Sequence, residues 1–313
     1  MDTILTLTLN AAIDLGTSVD LVIPERKLRC ALPRRDPGGG GINVARVAHR
    51  LGVDVCALYL AGGFTGDRVQ RMLEEEGVPQ RRIPIGGTTR ENVIVWENSS
   101  GQLYRFGMPG PQVTREEWVR CLLEVESYEP APTYLVASGS VPPGVPADFY
   151  ARLAEIARDR NARLIVDTSG EALAEALRVG VFLVKPNMRE FEELAGRQLA
   201  DEYAQKAAAC KLIDDGAAEV VVVSLGAAGA LLAVASDAHY VRSPIVRQRS
   251  RVGAGDSMVG GIVTGLVRGM AIEDAVRYGV AAGAAAVMTD GTELCHPHDV
   301  EHLYEEISGP ERT

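Results

Sequence analysis

The chain has 313 residues, 46% of them hydrophobic and 24% charged, and a formal net charge of -10. This length can bury a sizeable core, and the composition is typical of a globular enzyme of one large or two modest domains. The acidic balance argues against a broad nucleic-acid surface. Five scattered cysteines without a Cys-x-x-Cys pair, and an N-terminus unlike a signal peptide, predict a cytoplasmic protein with reduced thiols.

Short apolar runs alternate with helical patterns through most of the chain. Near-continuous apolar runs are typical of strands buried on both faces. Strands are predicted at 4–9, 55–60, 133–138, 163–167, 182–185 and 219–225. Helices are predicted at 42–51, 65–76, 115–126, 147–160 and 202–215. This alternation predicts an α/β fold with a mostly parallel central sheet flanked by helices, and the chain after residue 253 is expected to be mostly helical.

Two regions, 15–36 and 88–108, interrupt the alternation. They contain the strand-like pieces SVDLVI, ENVIVWE and LYRFGM and lack good helix signals. We predict a small inserted β-sheet that acts as a lid on a single domain spanning 1–313. A third unusual stretch, the uncharged VVVVSLGAAGALLAVAS (220–236), approaches the length of a membrane span. Its glycines predict strand, turn and strand instead.

Polar residues follow the predicted strands, at the edge where open parallel sheets bind their ligands. They are Asn10, Asp14, Ser138, Ser140, Asp167, Lys185, Asn187 and Ser224. The chain has no P-loop and no His-Arg-Asp or Asp-Phe-Gly motif, which excludes P-loop and protein-kinase sites. GGGGIN does not follow a strand as a nicotinamide-binding G-x-G-x-x-G motif does, so a dinucleotide site is unsupported.

The segment RVGAGDSMVGG (251–261) places Asp256 between two glycines and an apolar helix. Asp256 could simply cap the helix, as carboxylates in a first turn commonly do. Alternatively, free N–H groups at the helix start form an anion site, and Asp256 takes a proton from a hydroxyl that attacks a phosphate. The segment by itself does not decide between the two.

Three further segments each have two interpretations. PGGGGINVA (37–45) is either a flexible capped loop or a backbone surface against which a ligand lies, and we favour the ligand. KPNMREFEEL (185–194) places Asn187 and Glu190 on one helix face, as site residues or as a capping box. CHPHDVEH (295–302) suggests metal ligands, but a solvated loop before a helix capped by Asp299 is favoured.

These motifs together resemble the ribokinase-like (PfkB) family of carbohydrate kinases, and in particular its phosphofructokinase branch. The resemblance rests on ILTLTLNAAID, PGGGGINVAR, YRFGMPG, SGSVPPG, VDTSGEAL, VKPNMRE, VVVSLGAAGAL and VGAGDSMVGG, which run nearly end to end. It implies transfer of phosphate from ATP to a phosphosugar. Fructose 6-phosphate is the first expectation, and tagatose 6-phosphate and fructose 1-phosphate are the alternatives. A non-catalytic sensor of nucleotide or phosphosugar is a further alternative.

The resemblance also implies the roles of individual residues. Asp256 is expected to be the general base, beside an anion hole formed by Gly253, Ala254 and Gly255. The sugar hydroxyls and phosphate are expected to contact Asp14, Lys27, Gly39, Asn43, Arg90, Arg105 and Ser140. Guanidinium groups suit a bidentate grip on phosphate, which supports the two arginines.

The same resemblance implies ATP, Mg²⁺ and K⁺ as cofactors. ATP is expected to contact Lys185, Asn187, Ser224, Gly226 and Gly229. Glu190 is expected to hold Mg²⁺ through water with Asp167 close by, and K⁺ is expected at Ser250, Val252, Ala286 and Gly291. Arg251, Thr289 and Glu293 depart from the family pattern, which leaves potassium dependence open. The resemblance implies a homodimer formed through the lids, without nucleic-acid or membrane partners.

Overall fold

The computed structural model describes residues 3–235 and 237–309. Within that part of the chain, thirteen strands form two separate sheets. The strands are β1 Ile4–Thr8, β2 Ala12–Val19, β3 Arg34–Gly38, β4 Val55–Ala61, β5 Gln80–Pro84, β6 Arg90–Glu97, β7 Leu103–Phe106, β8 Tyr134–Ser138, β9 Arg163–Asp167, β10 Val181–Val184, β11 Ala218–Ser224, β12 Ala230–Val234 and β13 Asp237–Val241.

Ten α-helices and one 3₁₀ turn accompany these strands in the described ranges. The helices are α1 Gly40–Arg50, α2 Gly63–Glu75, α3 Arg115–Glu126, α4 Phe149–Asp159, α5 Gly170–Val179, α6 Met188–Ala195, α7 Glu202–Asp214, α8 Ala254–Val267, α9 Ile272–Val287 and α10 Pro297–Ser308. The 3₁₀ turn is Gly226–Ala228. Helix α10 begins at Pro297 with His296 at its N-cap, so the prediction that Asp299 caps this helix is wrong.

The central sheet has the strand order β13-β12-β11-β10-β9-β8-β1-β4-β5. Its strands pair in parallel from β5 to β11, and β12 and β13 extend it in antiparallel fashion. The predicted α/β architecture is therefore confirmed. The stretch 220–236 is strand, turn and strand where it is described, as predicted. No described helix is long and apolar enough to cross a membrane.

The core lies on both faces of this sheet because its central strands carry apolar side chains on both sides. All five residues of β1, Ile4–Thr8, and all five of β8, Tyr134–Ser138, are buried. One layer packs under helices that include α3, α4 and α5, and the other under α1 and α8. This packing fixes the carboxyl ends of the strands, where the polar residues follow.

The second sheet has the order β3-β2-β6-β7 and corresponds to the predicted lid. Its strands differ in part from the expected regions. Strand β2 begins at Ala12 and ends at Val19, so most of SVDLVI (18–23) is not a strand. The strand β3 was not predicted, because its sequence RRDPG contains proline and glycine and has no apolar pattern.

Candidate active site

Asp256 lies in the first turn of α8, at the carboxyl end of the central sheet. Gly253 precedes the helix with φ 74°, and a Cβ there would come 2.6 Å from the Cδ2 atom of Leu294. Glycine is therefore required at this turn. Because α8 begins at Ala254, the N–H groups of its first turn have no acceptor within the helix. Gly255 lies in the same turn, so Asp256 stands directly beside these N–H groups.

The surroundings of Asp256 suit a general base. Its Oδ2 atom accepts a hydrogen bond of 2.8 Å from Nδ2 of Asn43 in α1. Burial first, and the carboxylate of Asp167 second, raise the pKa of Asp256 to about 7. The hydrogen bond from Asn43 and the charge of Lys185 act in the opposite direction. General acid–base catalysis is most efficient when the pKa of the catalytic group is close to the working pH, and a pKa of about 7 meets this condition near neutral pH.

Lys185 and Asp167 form an ion pair next to this base. The lysine follows β10 and is only 5% exposed, and its Nζ atom lies 3.1 Å from Oδ1 of Asp167 at the end of β9. Burial disfavours the charged amine, but the carboxylates of Asp167 and Asp256 outweigh it and raise the pKa of Lys185. A Cβ added to Gly255 would lie 3.6 Å from Nζ. The positive charge of Lys185 therefore lies against the start of α8.

A cavity of about 500 Å³ opens at the N-terminus of α8. Its walls include Ala254 and Gly255 together with three residues predicted to contact ATP, which are Ser224, Gly226 and Gly229. This volume lies within the range of small-molecule sites. The structure therefore brings a nucleotide-sized cavity and the helix start together.

Sequence reasoning missed much of this cavity wall. The missed residues are Ala227, Ser243, Pro244, Ile245, Val246, Gln248, Met258, Val280, Gly283, Ala284 and Val287. Residues 243–248 form an irregular segment with no motif that could have been read. The four residues from α9 did offer a signal, since Val280, Gly283, Ala284 and Val287 recur at helical spacing and are small enough to leave room.

Three residues predicted to contact the sugar, Asp14, Arg90 and Arg105, lie on neighbouring strands of the lid itself. The carboxylate of Asp14 on β2 accepts a 2.8 Å hydrogen bond from Asn92 on β6. Burial raises the pKa of Asp14, while the bond from Asn92 and the charges of Arg105 and Arg90 oppose the rise. Both arginines therefore sit close enough to Asp14 to act on it electrostatically.

The two arginines differ in what they hold. Arg90 donates to the carbonyl oxygens of Met108 at 2.9 Å and Asn10 at 3.1 Å, so it fastens backbone segments on either side of the pocket. Arg105, on β7, is exposed, and its side chain makes no hydrogen bond or ion pair with the described residues. The guanidinium of Arg105 is thus available to a ligand, whereas that of Arg90 also has a structural role.

The glycine run before α1 is packed against the protein itself. Gly39 has φ 116°, and a Cβ there would lie 2.6 Å from Cγ2 of Thr8. A Cβ at Gly41 would lie 2.5 Å from the carbonyl oxygen of Leu7. Close packing against β1 therefore requires these two glycines without any ligand. Packing therefore accounts for these two glycines, and contact of the run with a ligand stays a prediction.

Two other sugar-site candidates occupy different surroundings. The hydroxyl of Ser140 accepts a 2.9 Å hydrogen bond from Nδ2 of Asn10, which joins the ends of two neighbouring strands. Lys27 lies exposed in the loop between β2 and β3, and it contacts none of the other candidate residues through a hydrogen bond or ion pair in the described ranges. The structure of one chain therefore does not bring Lys27 into the site.

Asn187 and Glu190 form the capping box that was one of their two interpretations. The side chain of Asn187 accepts from the backbone N–H of Glu190 at 3.0 Å, and Glu190 accepts from the N–H of Asn187 at 2.9 Å. Within residues 3–235 and 237–309, no three acidic, histidine or cysteine side chains cluster as a metal site. Mg²⁺ in phosphoryl transfer usually needs only one or two carboxylates plus substrate phosphates and water, so Asp167 and Glu190 remain compatible with it.

The predicted potassium residues are neighbours near the start of α8. The buried hydroxyl of Ser250 donates to the carbonyl of Gly291 at 2.5 Å and accepts from the N–H of Val252 at 3.1 Å. The carbonyl of Ala286 accepts a 2.8 Å hydrogen bond from the hydroxyl of Thr289. Carbonyl and hydroxyl oxygens are donors that suit a hard cation, so this group fits K⁺. Thr289, however, already occupies one side of the Ala286 carbonyl.

The fold and this site define an α/β phosphotransferase, with a nucleotide-sized cavity, a helix N-terminus and a candidate base next to one another. The profile of the "pfkB family carbohydrate kinase" matches residues 7–299. The chain belongs to this family. It is 49% identical to the ATP-dependent 6-phosphofructokinase isozyme 2 of Mycobacterium tuberculosis, over 98% of this chain and 90% of the relative.

A second relative is the ATP-dependent 6-phosphofructokinase isozyme 2 of Escherichia coli, 42% identical over 97% of this chain and 99% of the relative. Phosphofructokinase-2 from E. coli has a similar solved structure. Its potassium complex has a TM-score of 0.94 at 41% identity, covering 98% of this chain and 100% of that one. Its fructose-6-phosphate complex has a TM-score of 0.93 at 40% identity with the same coverage. A tetrameric inhibited form of that enzyme is also known.

Proposed function

We propose that this protein transfers the γ-phosphoryl group of ATP to O1 of D-fructose 6-phosphate, giving fructose 1,6-bisphosphate and ADP. The observation that carries the proposal is the position of Asp256 at the start of α8, next to the nucleotide cavity and within electrostatic reach of Asp14, on which both lid arginines act. The two relatives named 6-phosphofructokinase support fructose 6-phosphate as the acceptor. Tagatose 6-phosphate and fructose 1-phosphate differ only in hydroxyl or phosphate placement, so they are the competing acceptors.

In this proposal Asp256 accepts the proton of the attacking hydroxyl. Its pKa of about 7 leaves a substantial fraction ionised at neutral pH, and Asn43 holds one carboxylate oxygen in place. The N–H groups of Gly253, Ala254 and Gly255 stabilise the charge on the phosphoryl group as it moves. Lys185 adds positive charge on the same side. Because these groups are already fixed, little reorganisation is needed during transfer.

The lid side of the site holds the sugar phosphate. Arg105 offers a free guanidinium fork, and Arg90 shapes the pocket through its two backbone carbonyl bonds while facing Asp14. Asp14 and Asn43 contact sugar hydroxyls, and Gly39 and Ser140 line the floor. Lys27 enters from the lid of a second subunit, which accounts for its distance from the other residues in one chain.

The opposite side holds ATP. Ser224, Gly226 and Gly229 line the cavity. Asn187, at the start of α6, forms a β-bridge with Ser224, and Lys185, after β10, lies near Gly255 in the cavity wall. Asp167 and Glu190 would hold Mg²⁺ through water, and Mg²⁺ would neutralise the charge of the phosphates. Ser250, Val252, Ala286 and Gly291 would hold K⁺ through oxygen atoms behind the start of α8.

We also propose a cytoplasmic homodimer in which the lids pack together. The lid exposes large apolar side chains to water, and packing against a second lid would bury them. They include Leu32 at 97%, Phe106 at 51% and Met108 at 43% exposure. The five cysteines are unpaired, which suits a reducing compartment. Sedimentation as a monomer at micromolar protein would contradict the dimer.

The test is ADP release by the purified protein with ATP, Mg²⁺ and each of fructose 6-phosphate, tagatose 6-phosphate, fructose 1-phosphate and fructose. The highest kcat/KM should belong to fructose 6-phosphate, and no turnover with any sugar would favour the sensor. Arg105→Ala should then lower kcat/KM for fructose 6-phosphate by roughly ten- to a hundredfold, since one charge-assisted grip is lost. The value for fructose should stay unchanged, and equal losses for both sugars would refute phosphate recognition by Arg105.

A further inference from the structure

A second basic pocket lies outside the site described above, between the lid and helix α2. Arg68, Arg71, Met72 and Glu75 share one face of α2 because they are three or four residues apart. Arg35 reaches the same place from the lid strand β3. Together with Pro33 these residues line a cavity of about 370 Å³, which we call the arginine pocket.

The three arginines of this pocket have no acidic partner among the described residues, which sets them apart from their neighbours. Arg46 is paired with Glu76 at 2.6 Å, and Arg82 with Asp67 at 2.6 Å. Across the described residues, by contrast, the side chains of the pocket's arginines make no ion pair and no hydrogen bond. The Nε atom of Arg35 is moreover buried without an acceptor. A buried donor without a partner costs free energy that a bound ligand can recover.

The charge of the pocket indicates its ligand. Three guanidinium groups and the single carboxylate of Glu75 leave a local charge of about +2 in a protein whose net charge is -10. A phosphate dianion matches that charge, and guanidinium forks bind its oxygen atoms in a bidentate manner. The cavity lies at the small end of ligand sites, which favours phosphate or a small phosphate ester over a nucleotide.

We propose that the arginine pocket binds a phosphate dianion, either inorganic phosphate or the phosphate group of a small metabolite, at a place separate from the phosphotransfer site. Arg35 belongs to the lid strand β3, and Arg68 and Arg71 belong to helix α2, which lies outside the lid. The bound dianion therefore bridges β3 and α2. Occupancy therefore holds β3 against α2 and slows opening of the lid at that edge.

The first test is site-resolved modification by phenylglyoxal, an arginine reagent, followed by peptide mapping. Inorganic phosphate should slow modification of Arg68 and Arg71 relative to chloride at equal ionic strength. Arg120, which is exposed on α3 and has no partner among the described residues, is the matched control and should be unaffected. Because the modification rate is measured for each arginine separately, phosphate that binds at the phosphotransfer site does not affect the result for Arg68 and Arg71. Fructose 6-phosphate and ATP as further protectants distinguish inorganic phosphate from a sugar phosphate or a nucleotide.

The second test compares the wild type with the Arg68→Gln/Arg71→Gln double variant and with Arg120→Gln. The double variant should lose roughly tenfold or more in phosphate affinity at this site for each arginine removed, as expected for charge-assisted bonds. Phosphate should slow hydrogen exchange of residues 34–38 in the wild type and in Arg120→Gln, but not in the double variant. Equal modification rates with phosphate and chloride would overturn the site. If polyglutamate, but not phosphate, protected the arginines from modification, the proposal of a small-molecule ligand would be overturned. If phosphate protected the arginines without slowing hydrogen exchange of residues 34–38, the proposed bridge between β3 and α2 would be overturned.

Discussion

The hydrogen bond from Asn43 to Asp256 allows a quantitative test of the general base. Asn43→Leu removes the donor while keeping a side chain of similar size. A hydrogen bond to a charged group contributes about 1.5–3 kcal/mol, and one pKa unit corresponds to about 1.36 kcal/mol. Loss of the 2.8 Å bond should therefore raise the pKa of Asp256 by about one to two units. If water replaces the lost amide next to the carboxylate of Asp256, the pKa should rise by the smaller amount.

The sign of the effect follows from the role of the base. Asp256 acts only when ionised, so kcat/KM should fall about tenfold per pH unit below the pKa of about 7. In Asn43→Leu this acid limb should move to higher pH. The phosphate of the sugar also titrates near pH 6, but it does so identically with both proteins. A shift between wild type and variant therefore reports the enzyme and not the substrate.

The assay is ADP release across pH 5.5 to 9, roughly the range over which the group titrates. Asn92→Leu is the matched control because it removes an equal 2.8 Å bond to a carboxylate, that of Asp14. This control should raise KM for the sugar and leave the acid limb in place. A limb at the wild-type pH in folded Asn43→Leu protein would refute the assignment of the base.

Three further predictions concern charge. Asp256 keeps its proton in the folded state up to about pH 7, so its ionisation lowers the free energy of unfolding as the pH rises from 4 to 8. Asp256→Asn should therefore increase the free energy of unfolding by on the order of 2–4 kcal/mol at pH 8 and little at pH 4. Urea titration at the two pH values measures the difference. Arg251 is exposed and lines the nucleotide cavity, so Arg251→Ala should raise KM for ATP, whereas Arg249→Ala, whose arginine pairs with Asp290 at 3.0 Å, should not. Arg46→Met should lower the free energy of unfolding by about 1–3 kcal/mol, because the buried Asp36 and the partly buried Glu76 each lose a partner, although Asp36 keeps Arg34 and Glu76 keeps Arg50.

The sequence predicted the elements whose neighbours are local or uniformly apolar. Helix α3 spans residues 115–126 as predicted, because its ends depend on nearby residues such as the capping box of Thr114 and Glu117. The inner strands of the central sheet were found because both of their faces are buried, whereas the partly exposed edge strands β5 and β13 were not predicted. In contrast, β3 is held by pairing with β2, and its own sequence resembles a turn. Such a strand depends on tertiary contacts that no short window contains.

The same distinction applies to the candidate site. The motif around Asp256 could be read because the helix start and the carboxylate are adjacent in sequence. The acceptor of the Asn43 amide was not foreseen, because the bond spans 213 positions. The glycine run illustrates the opposite case, since its pattern is obvious but Gly39 and Gly41 serve packing against β1. A pattern of glycines predicts close approach and does not identify what approaches.

A buried arginine connects the lid to the base. Arg46 on α1 is 1% exposed, and it bonds to the carbonyl of Pro37 at 3.0 Å and to Asp36 at 3.4 Å, both in the lid strand β3. Its Nη1 atom also donates to Oδ1 of Asn43 at 3.4 Å, which orients the amide so that its N–H group faces Asp256. The reverse orientation would place an amide oxygen against a carboxylate. The position of the lid strand and the orientation of the group that holds the base are therefore set by one side chain.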